Sequence, residues 1–559
     1  MPFGIRAGEF YTRGKVADAK DDITNFSDGE ASEHFVTQLD KGSKHLGVIS
    51  AISLILNRIV GTGIFVVTPD IYRLAGSVGL TLILWVVGAA IALIGAYVYM
   101  EFGSAIPRNG GEKNYLEYLF KKPKFFVTSL YAAYVFLIGS AAGNSVFGAQ
   151  MLLTAGNGEL SNRNVRAVAV SILLFFSILN AVSVKTGIFI TNTFGVLKIL
   201  IMAFIAVVGL VALGGGVNNA SGKENFHNAF EGSDRITAYG MVSAIYSVIW
   251  SFVGYSNINY ALGEVKNPVR TLKIAAPVSL ILLTVLYLFV NIAYFAVIPK
   301  AEIYATKSRI AVNFFGAVFG QKARRISAGI ISLSSLGNVC SVVFSQGRII
   351  QQLGREGVLP YSSFFASSKP FNSPTVGLLQ HFIFCSIIIV GPPTGDAYNL
   401  ILNLNSYPMN IVNTAISGGL LWIYWQRYKG RVEWDPPIKA GVVVTTIFFL
   451  TSIYLVIAPY VPPSNGNSTY DSLPYWIHCV LAWGVFGIGA IYWFIWTRLL
   501  PKRGNYKLVY SEVLGDDGFW RNKIVKEHNE AKFVGHDEAD DSSLSFKNIA
   551  KVPSVEYVK

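Results

Sequence analysis

The chain has 559 residues, 52% of them hydrophobic and only 14% charged, a balance that excludes an ordinary soluble protein of this length. Its formal charge of +13 raises nucleic acid as a partner, but the Lys and Arg residues gather in short segments between apolar runs. That placement is a membrane-topology and anionic-lipid signal and excludes a nucleic-acid footprint.

Residues 1–45 are polar and of mixed charge, with no apolar stretch that would serve as a cleavable signal, and read as a disordered cytoplasmic tail. About twelve apolar runs follow, near 46–67, 79–101, 125–153, 165–184, 188–213, 239–262, 274–298, 326–350, 374–391, 397–425, 439–460 and 475–498. Each is about long enough to cross a ~30 Å hydrocarbon core. Segment 308–320 is a candidate re-entrant or surface helix. An even span count puts both tails on one side, with Arg108, Lys113, Lys121, Lys122, Lys124, Lys266, Arg270, Lys273, Arg427, Lys429 and Arg431. Loops 391–396 and 459–474, on the other side, hold no Lys or Arg, although 214–238 and 299–325 are less clean. The positive-inside rule makes both tails cytoplasmic. Asn219-Ala220-Ser221 and Asn467-Ser468-Thr469 are possible glycosylation sequons in outer loops. Cys340, Cys385 and Cys479 lie inside apolar runs, where they read as small packing residues. Residues from about 525 read as disordered, whereas Val513 through Trp520 puts two aromatics in a polar tail, as headgroup anchors or as a plug.

Two of the runs are interrupted. Gly61-Thr62-Gly63 breaks the first, and Trp250-Ser251-Phe252-Val253-Gly254 breaks the sixth. Glycine weakens a helix because it has the most backbone freedom to lose. Unwound backbone survives at membrane depth only where it is buried in protein or lines a cavity. Freed amides attract an anion and freed carbonyls a cation, and an amino acid carries both groups on one carbon. Paired breaks in the two halves of a polytopic chain point to a midplane substrate site in a secondary transporter. Two cations also sit inside apolar runs, Lys198 and Arg58, and each requires a reason to be there.

Several motifs in order resemble those of the amino acid–polyamine–organocation superfamily. They are Gly61-Thr62-Gly63-Ile64-Phe65, Glu101-Phe102-Gly103 with Pro107 and Gly110-Gly111, Gly263-Glu264-Val265-Lys266-Asn267-Pro268, and Ser345-Gln346-Gly347-Arg348 through Pro360. At finer grain, Ala105 through Tyr115, Tyr246 through Leu272 and Phe344 through Pro374 resemble the fungal high-affinity methionine permeases, in the L-type-transporter-like branch. The resemblance implies an all-α fold of two inverted five-helix repeats, over 46–213 and 239–425, followed by two helices over 439–498 and a tail over 499–559.

By the same resemblance, Ile59, Gly61, Thr62 and Gly63 form the turn that receives the substrate carboxylate. Trp250 is an aromatic gate, and the carbonyls of Trp250 and Val253, with Ser251, Phe252, Gly254 and Ser256 beside them, face the ammonium. Where arginine/agmatine antiporters of the superfamily carry a glutamate, this chain has Ser256, which argues for a substrate with a neutral side chain. Phe136, Ser140 and Asn144 are further lining candidates. Lys198 matches a lysine that replaces sodium in sodium-independent members; it is a candidate sodium surrogate, proton carrier or snorkelling side chain. Arg58 has an open role, with Glu264, Glu101 and Glu112 as candidate partners, each read as a solvated surface carboxylate.

The expected function is proton-coupled import of methionine across a fungal plasma membrane, the proton coming from the resemblance. An exchanger of large neutral amino acids and a nutrient receptor that signals without transport are the alternatives. No Walker A, zinc or nucleophile-elbow spacing is present, so neither an enzyme nor a metal or organic cofactor is expected. His381 and His478 read as packing histidines. Lys15, Lys20, Lys41 and Lys44 are candidate ubiquitin acceptors for ligase adaptors on the N-terminal tail.

Overall fold

The computed structural model describes residues 46–528, apart from 139, 218–221, 307–308, 464–469, 471 and 515–519. The four tail lysines, both sequons, the centre of the aromatic tail motif and everything beyond His528 lie outside the described residues.

Helix dominates because backbone groups in hydrocarbon must be satisfied within the segment itself. The first span is split into α1 (Val48–Ile59), α2 (Gly63–Val66) and α3 (Thr68–Ala75), with Val60 extended at ψ 90°. Ser77 caps α4 (Val78–Ala105), accepting from the Leu80 amide at 3.3 Å, and α5 (Glu112–Leu119) lies in the loop that follows. The third span is interrupted as well, into α6 (Phe126–Leu137) and α7 (Ala142–Ala155), before α8 (Asn162–Val182) and α9 (Val184–Leu213). The sixth span is α10 (Ala238–Phe252), which gives way after Val253 to a 3-10 segment (Asn257–Glu264). Then come α11 (Pro268–Val297), α12 (Lys300–Ala305), α13 (Ile310–Phe319) and α14 (Gln321–Arg355). The chain continues through α15 (Ser362–Ala366), α16 (Thr375–Val390), α17 (Thr394–Tyr428), α18 (Val442–Ile457), α19 (Ile477–Phe494) and α20 (Leu500–Gly504).

Ten helical segments among the described residues are long and apolar enough to cross a membrane. The two runs that fall outside this set are explained by their composition. Helix α16 is apolar but has only 16 residues, and α17 is long but carries Asp396, Asn399, Asn403, Asn405, Asn410 and Asn413. Large apolar side chains such as Phe175, Phe189, Leu200 and Ile281 are exposed, as a lipid-facing surface requires. Inside, small residues allow close helix crossings: a Cβ on Gly88 would meet Val248, and one on Gly209 would meet Ala293.

At the tail-bearing end, Leu46 pairs with the close of the sixth span. Its amide donates to the Glu264 backbone carbonyl at 3.0 Å and its carbonyl accepts from the Lys266 backbone amide at 3.1 Å. At the C-terminus the described residues end in a hairpin, and the stretch expected to be disordered lies almost wholly outside them. Strands β1 (Tyr506–Leu514) and β2 (Trp520–His528) form an antiparallel hairpin. Ile524 is buried against the body of the protein, its amide donating to the Glu356 carbonyl at 2.8 Å, and Tyr510 meets Phe125 edge-on at 4.9 Å.

Candidate functional site

The break after α1 frees carbonyls at the C-terminal end of that helix, and buried donors from other helices take them. The Lys198 ammonium, from α9, donates to the Val60 carbonyl at 2.8 Å; the side chain is 1% exposed. Ser334 donates to the Gly61 carbonyl at 3.3 Å and Asn338 to the Arg58 carbonyl at 3.4 Å, both from α14. The amides of Gly61, Thr62 and Gly63 are different: among the described residues they meet no acceptor. The first break is therefore left with donors to offer.

Those amides border a cavity of about 90 Å³. Of the candidate residues in the two breaks, it is lined by Ile59, Gly61, Thr62, Gly63, Trp250 and Val253, joined by Arg58. Ser140 and Asn144, from the interrupted third span, also reach it. The Thr62 hydroxyl donates to Asn144 Oδ1 at 3.0 Å and lies 3.0 Å from the Tyr398 hydroxyl. Asn144 in turn donates to Asn338 Oδ1 at 2.9 Å. A polar thread thus ties the first break to α7, α14 and α17. None of the cavity-lining residues is acidic.

Other candidates stand apart from the cavity. Ser251 turns its hydroxyl to the Ser247 carbonyl at 3.1 Å and packs against Gly63. Phe252 is 1% exposed, wedged against Trp85 and Tyr287. Gly254 has φ +120°, and a Cβ there would meet the Arg58 side chain. Ser256 donates to Glu112 Oε1 at 3.1 Å. Phe136 stacks edge-on against Phe365 and Phe384, both at 5.5 Å.

Sequence reasoning missed the third-span interruption, whose signal was Gly139-Ser140 followed by Gly143. It also missed Asn338, Gln346 and Asn405, which line the cavity and were visible as polar residues inside apolar runs. Tyr131, Tyr134 and Tyr260 line it too, and nothing in their local sequence separates them from the other tyrosines.

The reading of the carboxylates as solvated surface groups is overturned for two of the three. Glu101 has no exposed surface and accepts from Trp434 Nε1 at 2.7 Å, from the Ala440 amide at 2.7 Å and from the Tyr424 hydroxyl. Glu112 is equally buried. Burial pushes its carboxyl above the usual range, opposed by hydrogen bonds from Tyr260, its own backbone and Ser256 and by the charge of Arg58.

Similarity to known proteins bears on what such a site does. A family model for amino acid permeases matches residues 46–485. The high-affinity methionine permease of Saccharomyces cerevisiae is 58% identical, over 96% of this chain and 94% of the relative. The low-affinity methionine permease of the same yeast is 30% identical over 86% of this chain and 88% of its own length. The human b(0,+)-type amino acid transporter 1 is 30% identical over 78% of this chain and 85% of its own length.

Proposed function

Because this chain belongs to the amino acid permease family and is a multi-pass membrane transporter of amino acids, we propose that it imports L-methionine, or a close neutral analogue, by proton symport across the plasma membrane. The observation that carries the substrate class is the cavity where the two broken spans meet. Unsatisfied amides of Gly61, Thr62 and Gly63 suit a carboxylate, and the absence of any acidic lining residue disfavours a cationic side chain. Trp250 offers an aromatic face to the substrate, worth roughly 0.5–2 kcal/mol against an ammonium. The strong match to a methionine permease supports methionine within that class.

In this reading the two breaks belong to two inverted five-helix repeats, and both tails are cytoplasmic. Lys198, buried against the Val60 carbonyl, is read as a stand-in for a sodium ion, and that reading favours coupling to a proton. The test is radiolabelled methionine uptake by the full-length protein in sodium-free proteoliposomes. Accumulation only with an inward proton gradient supports the symporter. Gradient-independent uptake that needs internal amino acid would make it an exchanger, and binding without uptake a receptor. We also propose Lys15, Lys20, Lys41 and Lys44 as ubiquitin acceptors. Replacing all four by Arg should block methionine-triggered endocytosis, and unchanged endocytosis would refute the assignment.

A further inference from the structure

One fully buried carboxylate beside the site is not among the residues that line the cavity. Glu112 opens α5, and its Oε1 accepts the Ser256 hydroxyl at 3.1 Å, while Oε2 has no well-aligned donor among the described residues. Ser256 ends the turn that breaks the sixth span, and Tyr260 and Arg58, which both act on Glu112, line the substrate cavity. The carboxyl therefore joins α5 to the sixth-span turn, one side chain away from the cavity.

Its surroundings offer little countercharge. Lys113, its chain neighbour, is engaged by Glu117 at 3.0 Å and Glu356 at 2.6 Å. The titratable groups that face Glu112 are Tyr99 of α4, Tyr115 of its own helix, Tyr131 and Tyr134 of α6, Tyr255 of the sixth-span turn and Tyr260 of the 3-10 segment. These are phenols, which stay neutral across the physiological range. Among the described residues Arg58 is the cation whose charge acts on it, and the two form no ion pair. A buried carboxylate so placed is costly as an anion and far less so as a neutral acid.

We propose that Glu112 is the proton-release site of the transport cycle. With the tail-side end closed and Glu112 buried, the carboxyl holds a proton. Opening that end separates α5 from the sixth-span turn and lets water reach the group. The O–H bond then breaks, the electron pair stays on the carboxylate, and the proton leaves to cytoplasmic water. The sign follows from linkage: burial raises the affinity of the closed form for the proton, so acidifying the cytoplasmic side favours closure and slows release.

This inference rests on the proton-symport reading, and the experiment separates the two. Full-length wild type, Glu112→Gln and Ser256→Ala are reconstituted, and methionine uptake is measured with and without an inward proton gradient, alongside counterflow against internal methionine. Glu112→Gln mimics the neutral acid, so it should keep counterflow and lose gradient-driven accumulation. In Ser256→Ala the carboxylate loses a donor, so the midpoint of uptake against internal pH should rise by about one unit. Gradient-driven accumulation by Glu112→Gln overturns the proposal and leaves symport standing. A wild type indifferent to the gradient overturns both. Should Glu112→Gln lose counterflow as well, the Ser256→Ala profile decides, and an unmoved midpoint overturns the proposal.

Discussion

At the scale of single residues, Lys198 and Gly63 show how tightly the first break is held. Lys198 reaches from α9 to cap the Val60 carbonyl at 2.8 Å, with the side chain 1% exposed. Lys198→Ala strands that carbonyl, at a cost of roughly 1–3 kcal/mol. We expect a lower unfolding temperature in detergent together with lost methionine uptake; uptake at wild-type level would reduce the lysine to packing. Gly63 sits so close to the sixth span that a Cβ would come within 2.9 Å of the Ser251 Cα and nearer still to its side chain. Gly63→Ala should therefore cost about 1–3 kcal/mol through overpacking and depress uptake. Adding Ser251→Gly should restore part of the loss, and no recovery in the double variant would place the defect in substrate contact instead.

At the scale of elements, the scaffold is fastened by carboxylates rather than by apolar contact alone. Glu101, near the end of α4, collects donors from Tyr424 on α17 and from Trp434 and Ala440 in the segment before α18. Removing it leaves Trp434 Nε1 and the Ala440 amide buried without acceptors, at roughly 1–3 kcal/mol each. Glu101→Ala is expected to lower thermal stability strongly, while Glu101→Gln, which keeps one acceptor, loses less. Equal stability of the two variants would mean that water replaces the carboxylate. The broken elements work in the opposite sense. Gly254, at φ +120°, holds a conformation that side-chain-bearing residues rarely adopt. Its turn sets Trp250 and Val253 on the cavity while directing Ser256 to Glu112.

For the whole molecule, the basic loops and the even number of apolar runs predict that both tails face the cytoplasm. Ser27→Cys and Ser543→Cys, each in a background without Cys340, Cys385 and Cys479, test this in intact cells. A membrane-impermeant maleimide should label either position only after permeabilisation; labelling of intact cells would invert the topology. Packing at the tail-bearing end is a property of the assembled chain. It combines the Leu46–Val265 pairing, the Lys113–Glu356 ion pair at 2.6 Å and the docked hairpin.

The sequence by itself determined the membrane character, the helical class and the places where the first and sixth spans yield. These follow from local causes: the length and apolarity of a run, and glycine where a helix must unwind. It also exposed Lys198 and Arg58 as cations in apolar surroundings. Only the tertiary structure decided which side chains of a break face the cavity. Trp250 and Val253 line it, while Ser251 and Phe252 turn to α2 and α4. It also decided that Glu101 and Glu112 are buried, that the third span is interrupted and that the tail strand β2 docks. The reason is that burial is set by partners remote in sequence: Thr62 meets Tyr398 across 336 positions and Glu112 meets Ser256 across 144. No local pattern encodes such meetings; the packing of the helices makes them.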